Sequence, residues 1–246
     1  MRGYLQSLRV LAVFTLLTTS LVAATPTPIR VTLLTGGHDY EREPYLKIYA
    51  ANPEIALTHL EHTKGTADAW DRIDLAACDV VVLYDMPRTI TEAQQAKFRQ
   101  MFDRGIGLVV THHALVSYQQ WIDYERIIGG RWIEKPEKGG DPTAKPSGYR
   151  HDVDIPVVIA RRDHPVTAGL ENFLIHDEIY WAYRVGADVV PLLTTTHPDS
   201  GNPLAWARTE KNSRVVYLLL AHGPSGYGDS NYRRLLGNAI RWTARR

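Results

Sequence analysis

The sequence predicts an α/β fold built on a doubly wound, mostly parallel sheet, with an antiparallel extension in its second half. Between residues 30 and 130, short apolar runs alternate with segments of helical spacing, as in parallel strands joined by right-handed helical crossovers. Beyond residue 130, apolar and polar residues alternate instead, which is typical of antiparallel strands with one exposed face. The 246 residues, of which 44% are hydrophobic, suffice for one sizeable core.

The first half is expected to contain four strands and three helical segments. Two of the strands are continuous apolar runs, which indicates burial on both faces. Thr91 can cap a helix that Gly105 ends, and Gly129 can end the segment that follows the fourth strand. In chain order, we expect strand 30–35, helix 44–51, strand 55–62, strand 79–84, helix 91–102, strand 108–110 and helix 121–129.

The second half is expected to be richer in strands. In chain order, we expect strand 151–159, a turn and short helix at 163–170, strand 173–181, a hairpin of 189–195 and 203–208, strand 214–221 and a helix from 229 or 230 to 241. Residues 136–148 are rich in Gly, Pro and Lys and predict a long exposed loop, a kind of segment that often serves as a functional lid.

The N-terminus predicts a signal peptide over residues 1–24. Arg2 and Arg9 precede an apolar run over 10–22, and Ala23 and Ala24 supply small residues for cleavage. The run is shorter than the ~20 residues of a membrane span. We expect an exported protein, periplasmic or secreted, with a single domain over 25–246 and no membrane contact beyond the export signal. An uncleaved anchor is the alternative.

Composition narrows the class of partner. The chain has 28 basic and 27 acidic residues and a formal net charge of +1, which argues against a nucleic-acid partner. Cys78 is the only cysteine, so no intrachain disulfide can form. Its place at the start of an apolar strand predicts a small buried residue rather than a nucleophile. A homo-oligomer is compatible with the composition.

Histidines follow three predicted strands at the point where each strand ends. His38 follows the first strand, His112 and His113 follow the fourth, and His222 follows the last. The carboxyl ends of parallel strands lie on one edge of a sheet, where ligands collect. Imidazoles that converge there with a carboxylate suit a divalent metal, zinc being the expected ion. The alternative is that histidines occur in these loops by chance.

A second polar cluster lies in the predicted strand 173–181. In an extended segment, His176, Glu178 and Tyr180 share one face and Asp177 lies opposite. A carboxylate beside an imidazole and a phenol can act in general acid–base catalysis. The alternative is an edge strand whose charges form structural ion pairs. Four aromatic residues could stack on a sugar, although core packing is the competing interpretation; they are Trp121, Trp132, Trp181 and Tyr183.

Taken together, these segments resemble the trehalose-utilisation (ThuA-like) family over residues 30–242. The matching segments are 35–38, 112–130, 164–170, 177–180, 222–223 and 238–242. The resemblance implies a flavodoxin-like fold of the class I glutamine amidotransferase type and a role in sugar or glycoside catabolism, including that of 3-keto sugars. Those amidotransferases carry a nucleophilic cysteine at the turn after a central strand. This chain has His112 and His113 there, so we do not expect a Cys-dependent glutamine amidotransferase.

The sequence therefore predicts an exported, metal-assisted enzyme (a hydrolase, lyase or isomerase) that acts on a small sugar or glycoside. The expected metal ligands are His38, His112, His113 and His222. The expected catalytic residues are Glu178, His113 and Tyr180, and the expected substrate-binding residues are Tyr40, Trp121, Asp177 and Gly223. The alternative is a non-catalytic carbohydrate-binding protein on the same fold.

Overall fold

A computed structural model describes residues 27–135 and 145–246. Its first half contains five strands and four helices: β1 (Ile29–Gly36), α1 (Arg42–Ala50), β2 (Ile55–Glu61), α2 (Ala69–Arg72), β3 (Val80–Asp85), α3 (Glu92–Asp103), β4 (Gly107–Thr111), α4 (Ile122–Ile128) and β5 (Gly130–Arg131). Its second half contains β6 (Gly148–Ile159), β7 (Phe173–Trp181), β8 (Arg184–Val185), β9 (Val190–Thr195), β10 (Ala205–Glu210), β11 (Ser213–Leu218), α5 (Pro224–Gly228) and α6 (Ser230–Thr243).

The main sheet has nine strands in the order β2-β1-β3-β4-β11-β10-β9-β6-β7. The first five of these strands are parallel to one another. Every residue of β3 and β4 is buried, as the continuous apolar runs predict for strands covered on both faces. The predicted doubly wound, mostly parallel arrangement with an antiparallel extension is thus confirmed. The carboxyl ends of β1, β3, β4 and β11 share one edge, which we call the carboxyl edge.

The antiparallel half of the sheet brings a distant strand back to this edge. Each step from β11 through β10, β9 and β6 to β7 is antiparallel, and four reversals leave β7 pointing the same way as β4. In a flat sheet these strands would lie about 24 Å apart, at about 4.8 Å per strand. Yet the Tyr180 hydroxyl of β7 is 2.9 Å from His112 Nε2, so the sheet must curve strongly.

The ends of several elements follow the predicted local chemistry. Thr91 forms a capping box with Gln94 at the start of α3, and Gly129 ends α4 with a φ of 76°, in the left-handed region that favours glycine. Asp229 caps α6 through the backbone N–H groups of Asn231 and Tyr232. These contacts confirm the boundaries that capping residues indicated.

Other boundaries differ from the sequence prediction. Strand β11 ends at Leu218 rather than at residue 221. The Leu219 N–H still donates to the Leu204 carbonyl, but the N–H groups of Ala221 and His222 donate to the Asp177 carboxylate instead of to a neighbouring strand. Strand β6 begins three residues early, at Gly148. The short elements α2, β5, β8 and α5 were not expected, since each is too short to show a hydrophobic period.

Two predictions fall wholly or mainly outside the described residues. These are the signal peptide over 1–24 and most of the loop over 136–148, of which only 145–148 are described. Among the helices of the described ranges, none is long and apolar enough to cross a membrane. Cys78 is buried, and its thiol donates to the Val80 carbonyl at 3.2 Å, as expected of a structural cysteine.

Candidate functional site

The turn after β4 holds His112 in an unusual backbone conformation. His112 has a φ of 49°, which costs free energy in a residue that carries a Cβ atom. The surrounding structure fixes it there: the Tyr217 hydroxyl donates to its carbonyl at 3.0 Å, and its side chain is fully buried. A strained turn after a central strand is where chemistry commonly gathers.

Hydrogen bonding determines which ring nitrogen of His112 carries the proton. Nδ1 is 2.6 Å from the Leu219 carbonyl oxygen, which can only accept, so Nδ1 must be the N–H donor. In the neutral ring, Nε2 then presents a lone pair. That lone pair lies 2.8 Å from Glu178 Oε2 and 3.0 Å from His222 Nδ1. The Tyr180 hydroxyl, 2.9 Å from Nε2, can donate to that lone pair. The Glu178 oxygen at 2.8 Å is nevertheless a second electron-rich atom, and the two repel each other unless a proton or a metal cation lies between them.

His222 lies in the loop after β11, and its backbone is held from both sides. The Asp177 carboxylate accepts its N–H at 2.9 Å, while the Tyr84 and Tyr227 hydroxyls donate to its carbonyl at 2.9 Å and 2.8 Å. Asp177, which was expected to bind substrate, therefore holds backbone in the described structure. Its role is to position the His222 imidazole.

Glu178 contributes the carboxylate from β7 and is 4% exposed. Oε2 is 2.8 Å from His112 Nε2 and 3.2 Å from His222 Nδ1, and Oε1 is 3.3 Å from His151 Nδ1. Burial alone would raise the pKa of the Glu178 carboxyl, but hydrogen bonds and charge interactions with His112 and His222 outweigh it and lower the pKa. The same pairing raises the pKa of His222. The carboxylate is therefore ionised near neutral pH.

Three ligand-type atoms thus meet at one point, and we call this group the triad: His112 Nε2, Glu178 Oε2 and His222 Nδ1. Their separations are 2.8 Å, 3.0 Å and 3.2 Å. Ligands about 2.0–2.2 Å from one tetrahedral ion are roughly 3.3–3.6 Å apart, so small outward movements of these side chains would accommodate an ion. His112 also donates its other ring N–H to a carbonyl, as metal-bound histidines usually do. Two imidazoles and a carboxylate fit a divalent transition metal.

The triad lines a crevice of about 380 Å³. Six aromatic rings around it form a closed loop, with successive centroids 4.5–6.4 Å apart. The six are His112, His222, His151, Tyr149, Trp132 and Tyr180. Burial raises the pKa of the Tyr180 hydroxyl, so Tyr180 keeps its proton as a donor. The crevice therefore offers aromatic walls beside a carboxylate and several imidazoles.

Two of the histidines expected to bind metal lie beside the triad rather than in it. His38 and His113 stack on each other with ring centroids 4.7 Å apart, and the His38 Nδ1 atom is 2.6 Å from the Asp39 carbonyl. Both rings line the crevice. Burial, followed by the neighbouring imidazoles, lowers the pKa of His113 well below its usual value. Of the four expected ligands, the structure brings together His112 and His222.

Three expected substrate-binding residues also lie away from the lining of the crevice. Trp121 is 6% exposed and packs on Phe98 and Tyr124 in the core. The Tyr40 hydroxyl donates to Thr35 at 3.2 Å, and Gly223 precedes α5 as its cap. Core packing and loop geometry account for the positions of all three, and their contact with substrate stays a prediction.

His151, Tyr149 and Trp132 line the crevice, although the sequence did not indicate His151 or Tyr149. Both belong to the first residues of β6, which runs antiparallel to β7. The amino end of an antiparallel strand lies beside the carboxyl ends of the strands that point the other way. Polar and aromatic residues at the start of a predicted antiparallel strand are the signal that could have found them.

The comparisons with known proteins agree with this architecture. The fold is of the glutamine amidotransferase-like, flavodoxin type. A family model described as ThuA, trehalose utilisation, matches residues 30–243. The chain therefore belongs to the ThuA trehalose-utilisation family, as the sequence resemblance indicated.

Solved structures show the same fold at low identity. A ThuA-like protein from Parabacteroides merdae has a TM-score of 0.77 at 19% identity, over 89% of this chain and 90% of that chain. A β-galactosidase from Rahnella sp. R3 has a TM-score of 0.56 at 11% identity, over 87% of this chain and 32% of that chain. PurLQS from Thermotoga maritima has a TM-score of 0.51 at 10% identity, over 88% and 99%. No curated protein matches the sequence.

Proposed function

We propose that the protein is an exported, metal-assisted enzyme that acts on a sugar or glycoside. Membership of the trehalose-utilisation family suggests a carbohydrate-related role. The observation that carries the enzymatic part is the triad, in which a neutral His112 would present its Nε2 lone pair to a carboxylate oxygen 2.8 Å away. A divalent cation satisfies both groups, and zinc is the first ion to test.

A divalent metal bound by the triad would supply Lewis-acid polarisation of a sugar carbonyl or an activated water. The chain's own residues supply proton transfer. The His151 side chain is 48% exposed, and its Nδ1 lies 3.3 Å from Glu178 Oε1, so it can exchange protons with solvent while the carboxylate orients its ring. Tyr180 can donate a hydrogen bond to a substrate oxygen. Hydrolysis, elimination and isomerisation all require such transfers.

The substrate class follows from the family and from the crevice walls. The ThuA resemblance implies oxidised sugars such as 3-keto glycosides, whose carbonyl group is the kind that a Lewis acid polarises. Trp132 and Tyr149 give the crevice aromatic faces, which suit the apolar face of a sugar ring. The signal peptide expected over residues 1–24 would deliver the protein to the compartment where glycosides are first met.

The test combines metal content with turnover. Protein purified without a metal-affinity tag is expected to bind about one zinc or similar ion per chain, and to convert trehalose, 3-keto-trehalose or a related glycoside only with metal present. His222→Ala should abolish both properties. His176→Ala is the matched control, because His176 also pairs with a carboxylate, Asp154 at 2.8 Å, but on the exposed surface. Turnover that survives complete chelation would contradict the proposal.

A non-catalytic carbohydrate-binding protein is the second candidate, favoured by the closed loop of aromatic rings around the crevice. Such a protein would bind sugar by stacking and hydrogen bonding alone. Sugar binding that is unchanged by a chelator and by His222→Ala, together with an absence of turnover, would favour this candidate over the enzyme.

A further inference from the structure

One buried polar side chain of the crevice has no hydrogen-bonding partner in the described parts of the chain. His113 is 4% exposed, and neither Nδ1 nor Nε2 makes a hydrogen bond to a described protein group. Its ring nevertheless lines the crevice, beside the triad. Buried polar groups in native proteins are nearly always paired, so an imidazole left unpaired at a crevice indicates a ligand.

The neighbours of His113 fix its ring. His38 stacks on the ring at 4.7 Å, and the Tyr84 ring lies 4.2 Å away at 60°. Neither ring nitrogen makes a hydrogen bond of normal geometry to a group in the described ranges. A neutral imidazole has one N–H donor and one lone-pair acceptor. The matching ligand group is a hydroxyl, which both donates and accepts.

The rest of the lining indicates an uncharged ligand. No lysine or arginine is among the described residues that line the crevice, so a phosphate or carboxylate would find no cationic side chain there. Glu178, the single carboxylate of that lining, already contacts three imidazoles. Trp132 and Tyr149 supply aromatic faces. A hydroxylated ring with an apolar face satisfies all three conditions.

We infer that His113 is a specificity-determining residue, which hydrogen-bonds one ring hydroxyl of an uncharged pyranose that stacks on Trp132 or Tyr149. This inference rests on the sugar-directed part of the proposed function and is independent of the metal. It also gives His113 a role outside the triad. A pocket that pairs a buried polar group with a substrate hydroxyl discriminates strongly against analogues that lack it, because the group is then left unpaired.

The test is a binding cycle on the full-length mature protein. The probes are trehalose, methyl glucopyranoside and the mono-deoxy analogues of methyl glucopyranoside, titrated by calorimetry into wild type and His113→Phe. Wild type should bind one mono-deoxy analogue about tenfold more weakly than the parent, the cost of one hydrogen bond. His113→Phe should bind the parent sugar and that analogue with equal, weak affinity. Retained discrimination in the variant, or no binding of any probe to wild type, would overturn the inference.

Two further measurements keep the outcome interpretable. Metal content measured on the same samples should be equal in wild type and His113→Phe. Discrimination between the sugars by a protein that binds no added zinc would refute only the metal proposal, and zinc binding without such discrimination would refute only the role of His113. Should the variant fail to fold, 15N NMR of wild type decides: the His113 ring nitrogens should shift with the parent sugar but not with the discriminated analogue, and an equal response to both would overturn the inference.

Discussion

Two buried networks of histidine and carboxylate lie at the carboxyl edge of the same sheet, and they differ in their hydrogen bonding. His62 pairs with Asp85 at the end of β3, with Nε2 3.0 Å from Oδ2 and both side chains fully buried. The triad of His112, Glu178 and His222 lies beyond β4, where His222 is 32% exposed and lines the crevice. By residue type alone the two networks would be indistinguishable.

The network of His62 is closed. The Ala69 backbone N–H donates to His62 Nδ1 at 3.0 Å, so Nε2 must carry the ring proton and donates it to Asp85. The same carboxylate also accepts from the Tyr118 hydroxyl at 2.7 Å and lies 3.3 Å from the Ser117 hydroxyl. Each polar atom has a complementary partner, so the network needs no ligand and stabilises the fold.

In the triad, the proton of the His112 ring lies on the other side, away from the carboxylate. His112 donates Nδ1–H to a carbonyl, so in the neutral ring the nitrogen that faces Glu178 carries a lone pair instead of a proton. In each network, one ring nitrogen faces the carboxylate and the other contacts a backbone group. The kind of backbone group, N–H or carbonyl, distinguishes a structural pair from a cation site. An N–H partner leaves a donor for the carboxylate, whereas a carbonyl partner leaves two acceptors that require a positive charge.

The largest expected effect is that of Glu178→Gln on metal affinity. An amide oxygen is a far weaker ligand than a carboxylate, so the loss of zinc affinity should exceed the roughly 10–100-fold cost of losing an outer-shell partner. In the metal-free protein, the amide N–H can donate to His112 Nε2, so stability should hold or rise. Isothermal titration with zinc and thermal unfolding measure both quantities. Unchanged zinc affinity would remove the distinction between the two networks.

Asp85→Asn is expected to lower stability and to leave zinc binding unchanged, the reverse of the effect of Glu178→Gln. It disturbs a closed, buried network and should lower the free energy of unfolding by about 1–3 kcal/mol, while the zinc stoichiometry stays that of wild type. Chemical denaturation and elemental analysis of the same preparation provide the check. Metal loss in a folded Asp85→Asn protein would show that the His62 network also serves the site.

Asp177→Asn should reduce zinc affinity by an intermediate amount, because Asp177 does not bind the metal itself but holds the backbone of His222. The carboxylate accepts three backbone N–H groups, those of Glu178, Ala221 and His222. The amide replaces one of the two acceptor oxygens with an NH2 group, so the imidazole of His222 becomes less well positioned. We expect about a tenfold loss of zinc affinity with stoichiometry retained at saturating zinc. A zinc affinity equal to that of wild type would mean that the loop after β11 holds His222 in place without the Asp177 carboxylate.

The smallest effect is expected for His176→Ala, on the same strand as Glu178. His176 pairs with Asp154 on the surface and is 51% exposed, so the change in stability should stay within about 0.5 kcal/mol and metal binding should be unaffected. Denaturation and zinc titration would show this. A large effect on either quantity would indicate that the exposed pair and the triad are coupled.

The sequence predicted the parallel half of this site and missed the geometry of the other half. His112 and His222 could be placed because strand ends in a parallel sheet share an edge. Glu178 was expected to be functional, but its contact with His112 depends on the curvature of the antiparallel strands, and curvature leaves no pattern in hydrophobic periodicity. Trp121 was one of several aromatic residues expected to stack on a sugar, with core packing as the competing interpretation, and it packs into the core.

Tautomers were equally beyond sequence reasoning. Which nitrogen of His62 or His112 carries the proton depends on backbone groups distant in the chain, such as the Leu219 carbonyl, 107 residues away from His112. Asp177 and Glu178 are adjacent in sequence, but alternation sends one to the backbone of the loop after β11 and the other to the crevice. The sequence showed the residue types, but it did not show which of the two carboxylates holds backbone and which faces the crevice.

Anomalous diffraction at the zinc edge, from crystals of the tag-free protein grown with zinc, would show directly whether the triad binds a metal. We expect one strong peak within roughly 2.0–2.2 Å of His112 Nε2, His222 Nδ1 and a Glu178 oxygen, with Asp85 and His62 free of anomalous density. A triad without a peak in zinc-grown crystals, or a peak coordinated by other residues, would contradict this expectation.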